Sequence, residues 1–209
     1  MMRLGRFVSA APDLALGCTF LLTWIAPQLL GAGKATYAAQ LMTLEFVVVH
    51  SAVIVGHMGT RSPSRVVNGT WILGLSALYS TIAILIGRAS NDLWPLYSFW
   101  GLTANRLMTL VGSSGMDERR AARLGTRWVL SVGLYIAWVF LTIFLPIPAL
   151  GIDPSMVPDN PRVRGLWVEQ PQRVLVAGAG YFFSQAYFDL RPPQWLTNPP
   201  FRSRITGRR

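Results

Sequence analysis

Cysteine, histidine and acid are the scarce residues of this sequence. The 209 residues include one cysteine, Cys18, two histidines, His50 and His57, and nine acids against nineteen basic residues. A lone cysteine excludes an intramolecular disulfide or a thiolate metal cluster, and Cys18, inside an apolar run, reads as a small apolar filler. Charged residues of both signs reach only 13%, about half the share of a typical soluble domain, while hydrophobic residues reach 52%. The catalytic signatures are missing too. There is no Gly-x-Ser-x-Gly elbow, no His-Glu-x-x-His pair, no glycine loop built to cradle phosphate and no paired-aspartate motif for Mg²⁺. Without a nucleophile, metal cage or acid–base pair, the expectation is a protein that is not an enzyme.

What the chain does contain is apolar length. Windows at about 12–32, 36–58, 70–87, 93–112, 128–147 and 173–190 each approach the roughly 20 residues that cross a bilayer core about 30 Å thick. The last, with the third the shortest at 18 residues, reads as the weakest. The expectation is an all-α fold: a polytopic integral membrane helix bundle of about six transmembrane helices, forming a single membrane domain over 1–209. The N-terminus carries Arg3 and Arg6 and no small-residue cleavage site, so the first window reads as a retained helix.

The basic residues orient such a bundle. With the N-terminus inside, the cytoplasmic side receives Arg3, Arg6, Arg61, Arg65, Arg119, Arg120, Arg123, Arg127, Arg191, Arg202, Arg204, Arg208 and Arg209. That is thirteen of nineteen. The outer side receives Lys34, Arg88, Arg162, Arg164 and Arg173, and Arg106 lies within a span, so the bias puts both termini in the cytoplasm. Compactness, short loops and this asymmetry point to a bacterial inner membrane. The long connection is outside: residues 146–172 hold six prolines and three acids, which excludes a long helix there.

Against this apolar background some polar residues stand out. Glu45 falls near mid-membrane in the second window, where a carboxylate must be protonated, paired or facing water. His50 is five residues on and about 140° round a helix, while His57, seven further, shares the His50 face. The fourth window supplies Asn105 and Arg106. Arg106 either reaches Glu45, giving a network completed by His50 or Asn105, or snorkels to the cytoplasm. Such a pair is either a structural lock or part of a proton or substrate relay. Haem through His50 or His57 needs a second chain, because both histidines are on one helix; no cofactor and no metal is expected. Gln28, Gln40, Ser76, Ser80, Ser184, Gln185 and Asp189 are further polar residues on the spans, and Pro27 is kink-prone within the first. Serine and threonine there bond backbone or a neighbouring helix first. Gly178 and Gly180 let another helix approach the sixth window closely.

At the cytoplasmic face, Asp117 and Glu118 open a helix on which Arg119, Arg123 and Arg127 recur every four residues, a stripe suited to anionic headgroups. The tail 191–209 is proline-punctuated and basic, and Arg202, Arg204, Arg208 and Arg209 suit lipid phosphates or an acidic partner, with Trp195 and Phe201 as interfacial anchors. These basic stretches flank apolar helices, so membrane lipids, not nucleic acid, are the expected contact. Two functions stay open. One is an accessory or scaffold subunit of a larger membrane assembly, with other membrane subunits as partners. The other is a small proton-coupled transporter or channel built on Glu45, His50, Asn105 and Arg106.

Overall fold

The computed structural model describes residues 2–30, 37, 38, 40–47, 49, 65–90, 93, 95–97, 99, 100, 118–153 and 165–197. Its regular structure is helical, with no strand among the described residues. The principal elements are α1 (Met2–Ile25), α2 (Arg65–Ser90), α3 (Glu118–Phe144), α4 (Leu166–Glu169), α5 (Pro171–Leu190) and α6 (Gln194–Thr197), with a further helical stretch at 40–47. At about 1.5 Å per residue, α1, α2 and α3 are each about 36–40 Å long, enough to span a hydrocarbon core. In α1 the apolar run Arg6–Ile25 and in α3 the run Gly125–Phe144 are long and apolar enough to cross a membrane. Only 22% of the first window and 11% of the second is buried within the chain, whereas the core helix of a soluble protein is mostly buried.

Proline marks the helix ends. The sequence reading carries the first span through a kink at Pro27, but α1 stops at Ile25. Ala26 takes φ −145° and ψ 65°, outside the helical region, as steric pressure from a following proline favours, and Pro27–Leu29 forms a single 3₁₀ turn. The chain after α3 folds back onto this end. The Trp24 indole Nε1 donates to the Pro148 carbonyl at 2.9 Å, and the Gly151 amide donates to the Trp24 carbonyl at 3.2 Å. A turn closed by the Ile152 amide on the Ala149 carbonyl holds Leu150 at φ 50°, a left-handed conformation unusual for leucine. Ile152 is thereby placed in the core.

The chain forms two compact units, Met1–Met42 with Leu130–Arg209, and Thr43–Val129. In the first, α5 is the central helix. Ser9 meets Asp189, Gly17 meets Phe183 and Phe20 meets Gly178, so α1 and α5 run antiparallel. Ser131 meets Gln185, Trp138 meets Ser184 and Thr142 meets Arg173, so this part of α3 is also antiparallel to α5. Phe20, Met42, Tyr135, Val174, Leu175, Tyr181 and Phe182 are buried together here. Phe20 tilts against Phe182 at 5.6 Å, and Tyr135 meets Tyr181 edge-on at 5.6 Å, the offset arrangements that aromatic quadrupoles favour.

In the second unit, Leu44, Val47, Ala83 and Phe99 form a smaller cluster. Here α2 buries a narrow stripe at Ile72, Ser76, Ser80, Ala83 and Gly87, spaced at three and four residues as a 3.6-residue period requires. Its other faces expose Trp71, Leu73, Leu78, Ile82 and Leu85. The helix is thus smaller and more polar inside than outside. Water would impose the reverse order, whereas lipid permits this one, because small residues let helices approach and large apolar ones face the tails.

Candidate functional site

The polar cluster expected from the sequence is described at one residue. Glu45, on the helical stretch 40–47, is half-buried and engaged. His50, His57, Asn105 and Arg106 lie outside the described residues, as do Arg202, Arg204, Arg208, Arg209 and Phe201 of the tail. Arg119, Arg123 and Arg127 are all helical residues of α3, at the four-residue spacing that puts them on one side; the side chains of Arg119 and Arg123 lie outside the described ones, and Arg127 is exposed. Among the described residues no three His, Cys, Asp or Glu side chains come together as a metal site.

The described polar chemistry is concentrated along α5. At its start, the Arg173 guanidinium Nη1 donates to the carbonyls of Thr142, Ile143 (2.9 Å) and Leu145 (3.1 Å), while Nε donates to Gln170 Oε1 at 2.5 Å. The last carbonyls of α3 lack intrahelical donors and sit at the negative end of the helix dipole, so a cation with several donors satisfies both needs. Farther along, the Trp138 indole donates to Ser184 Oγ at 3.0 Å, and Ser184 in turn donates to the Gly180 carbonyl at 2.7 Å. Gln185 Nε2 lies 2.6 Å from Ser131 Oγ and 3.1 Å from the Tyr181 hydroxyl. Near the end, Ser9 Oγ donates to Asp189 Oδ2 at 2.8 Å. Thus Arg173, Ser184, Gln185 and Asp189 each reach a group on α1 or α3.

Other hydroxyls turn inward on their own helix. Thr19, Thr23, Thr70, Ser80 and Thr142 each donate to the carbonyl four residues back, the bond by which a helix satisfies a hydroxyl that has no water. Tyr135 and Trp128 reach other segments instead, donating to the carbonyls of Met42 (3.1 Å) and Val49 (2.9 Å).

Gly178 and Gly180 occupy two close approaches. A Cβ on Gly178 would run into the Phe20 ring of α1, and a Cβ on Gly180 would run into the Trp138 indole of α3. The partners of these glycines, like Ser9, Ser131 and Trp138, lie too far away in the chain for spacing to reveal them. Arg173 reads from sequence as an outer-face charge; its one local signal is a basic residue next to a proline-rich break that also ends a helix.

One buried polar atom lacks a partner among the described residues. Gln40 is 7% exposed, and its Oε1 accepts no hydrogen bond. A buried amide oxygen without a donor forfeits its hydration, at a cost of about 1–3 kcal/mol. Gln40→Met, similar in volume and free of that oxygen, is expected to raise stability by about 1 kcal/mol. The measurement is denaturant unfolding of the purified protein in one fixed detergent. A loss of similar size would mean that the amide holds a partner.

A pocket of about 330 Å³ opens between α3 and α5, lined by Trp138, Gly180, Phe183, Ser184, Tyr187 and Phe188. Ser184 and the Trp138 indole bond to each other, so the lining offers mostly aromatic surface. What these elements define together is a chain whose regular structure is all-helical among the described residues, with two helices of membrane-spanning length and apolarity and with polar contacts that join helix to helix. No family model, curated protein or solved structure matches the chain.

Proposed function

We propose that this is a polytopic protein of a bacterial inner membrane, with about six spans and cytoplasmic termini, acting as a non-catalytic accessory or scaffold subunit of a larger membrane assembly. The observation that carries the reading is the inside-out order of α2, where Ser76, Ser80, Ala83 and Gly87 are buried and Trp71, Leu73, Leu78, Ile82 and Leu85 are exposed. Such surfaces suit lipid and neighbouring helices. Support also comes from the polar side chains of α5, which are used in holding α1 and α3. That α1 and α3 run one way and α5 the other agrees with first and fifth spans leading outward and a sixth leading back.

The test is native mass spectrometry of the protein extracted from its own membrane in a mild detergent. A defined larger particle containing other subunits is the expected result. A cofactor-free monomer or homo-oligomer would overturn the scaffold reading and favour the transporter instead. In that case, Glu45→Gln should abolish a proton-coupled flux in reconstituted vesicles while the protein stays folded. An added haem mass would make the histidines ligands shared with a second chain.

A further inference from the structure

The face of α5 that lines the pocket ends at an exposed cation, Arg191. Gly180, Phe183, Ser184, Tyr187 and Phe188 share one face of α5, spaced i, i+3, i+4, i+7 and i+8, and Arg191 is the residue that caps the helix directly beyond them. The first five line the pocket together with Trp138. Arg191 is one turn beyond, still tied to the helix by its backbone amide on the Tyr187 carbonyl at 2.8 Å. Its side chain is exposed, and its guanidinium has no partner among the described residues. The nearest acid in sequence, Asp189, lies about 200° round the helix and accepts the Ser9 hydroxyl on α1.

The surroundings are those of a membrane surface. Trp195 of α6, half exposed, packs edge-on against Phe188 at 6.5 Å, and Tyr187, also exposed, packs against Phe188 at 5.6 Å. Tryptophan, tyrosine and arginine gathered at one helix end form the belt in which amphipathic rings sit at headgroup level. Below that level the lining is mostly aromatic, with the Trp138 ring packed directly on Gly180. A slot of hydrocarbon character leading up to a bare guanidinium matches the two halves of one kind of molecule.

We propose that this face binds one anionic glycerophospholipid, with a chain in the aromatic slot and its phosphate on Arg191. The inference rests on the membrane reading given above. Charge decides between lipids: a guanidinium forms forked, charge-assisted hydrogen bonds with a phosphate, and a zwitterionic headgroup carries an ammonium that offsets the attraction. Gly180 keeps the Trp138 ring at the edge of the slot, so this ring should report an occupying chain.

The experiment uses the full-length protein in phosphatidylcholine vesicles that contain a small fraction of phosphatidylglycerol with brominated chains, bromine quenching tryptophan on contact. The Trp138 signal is the difference in emission between the wild type and Trp138→Phe. Brominated phosphatidylglycerol is expected to quench it at about one-tenth the fraction needed for brominated phosphatidylcholine, and Arg191→Gln should erase that preference, a charge-assisted contact being worth about tenfold or more. Arg88→Gln, at the exposed end of α2, should leave it intact. Equal quenching by both lipids, a preference that survives Arg191→Gln, or a Trp138 insensitive to either lipid because a second copy fills the slot would each overturn the proposal. An alkaline wash of the vesicles separates this from the reading beneath it. Protein that washes off defeats the membrane assignment; protein that stays but shows no preference defeats only the lipid site.

Discussion

Gly178→Val is expected to destabilise the protein by about 3 kcal/mol, the upper part of the range for forcing extra volume into a packed interior. The reason is local. A Cβ at this position would meet the Phe20 ring, and Phe20 is itself 1% exposed and held against Phe182, so the ring has no free space to enter. Between helices in lipid, association depends on such van der Waals fit more than on exclusion of water, which makes a lost approach costly. Phe20→Ala alone should also cost about 3 kcal/mol, by leaving a cavity. The double variant should cost less than the sum, by about 1–2 kcal/mol, because the valine grows into the space the ring vacates. Unfolding by a denaturing detergent, followed by tryptophan fluorescence, measures all three. Full additivity would mean that α1 and α5 do not meet at this pair.

Arg173→Gln is expected to cost about 2 kcal/mol, the usual scale for hydrogen bonds from a charged donor. Its guanidinium covers the carbonyls of Thr142, Ile143 and Leu145, so its removal strips the end of α3 of donors in one step. Arg173→Lys keeps the charge near the helix dipole but loses the planar fork, and should recover about half of the loss. Hydrogen exchange gives the location. The amides of the last turn of α3 should lose protection in Arg173→Gln, while those near Trp128, at the far end of its apolar run, should not change. Uniform loss along the helix would point to global destabilisation instead of a missing cap.

Both positions show where sequence reading stops. Gly178 stands out in sequence because two glycines alternate with alanines, and small residues on a membrane helix mean a close neighbour. Which neighbour is absent from the pattern: Phe20 lies more than 150 residues earlier in the chain. For Arg173 the reading is of the wrong kind, since topology counting treats every basic residue outside a span as a surface charge. Arg173 follows the proline-rich connection that returns the chain to the end of α3, and the carbonyls waiting there exist only once that return has been made. Ser184, Gln185 and Asp189 occupy a middle position. Their polarity within an apolar window marks them from sequence, while Trp138, Ser131 and Ser9, which complete their bonds, look unremarkable until the helices pack.

Local chemistry alone determined that the described residues are helical, that proline stops the helix after α3, and that two of the helices are apolar enough for lipid. These follow from propensity, from the missing N–H of proline and from the summed transfer energy of neighbouring residues, all of which act within a few turns. Tertiary structure decided that the sixth window, α5, which carries Arg173, Ser184, Gln185 and Asp189, is the central helix of its unit, with nine of its twenty residues buried. A hydropathy window measures how well a helix suits lipid. A helix enclosed by other helices needs small residues and bonding groups instead, so a segment broken by polar residues and glycines is the one that α1 and α3 pack around.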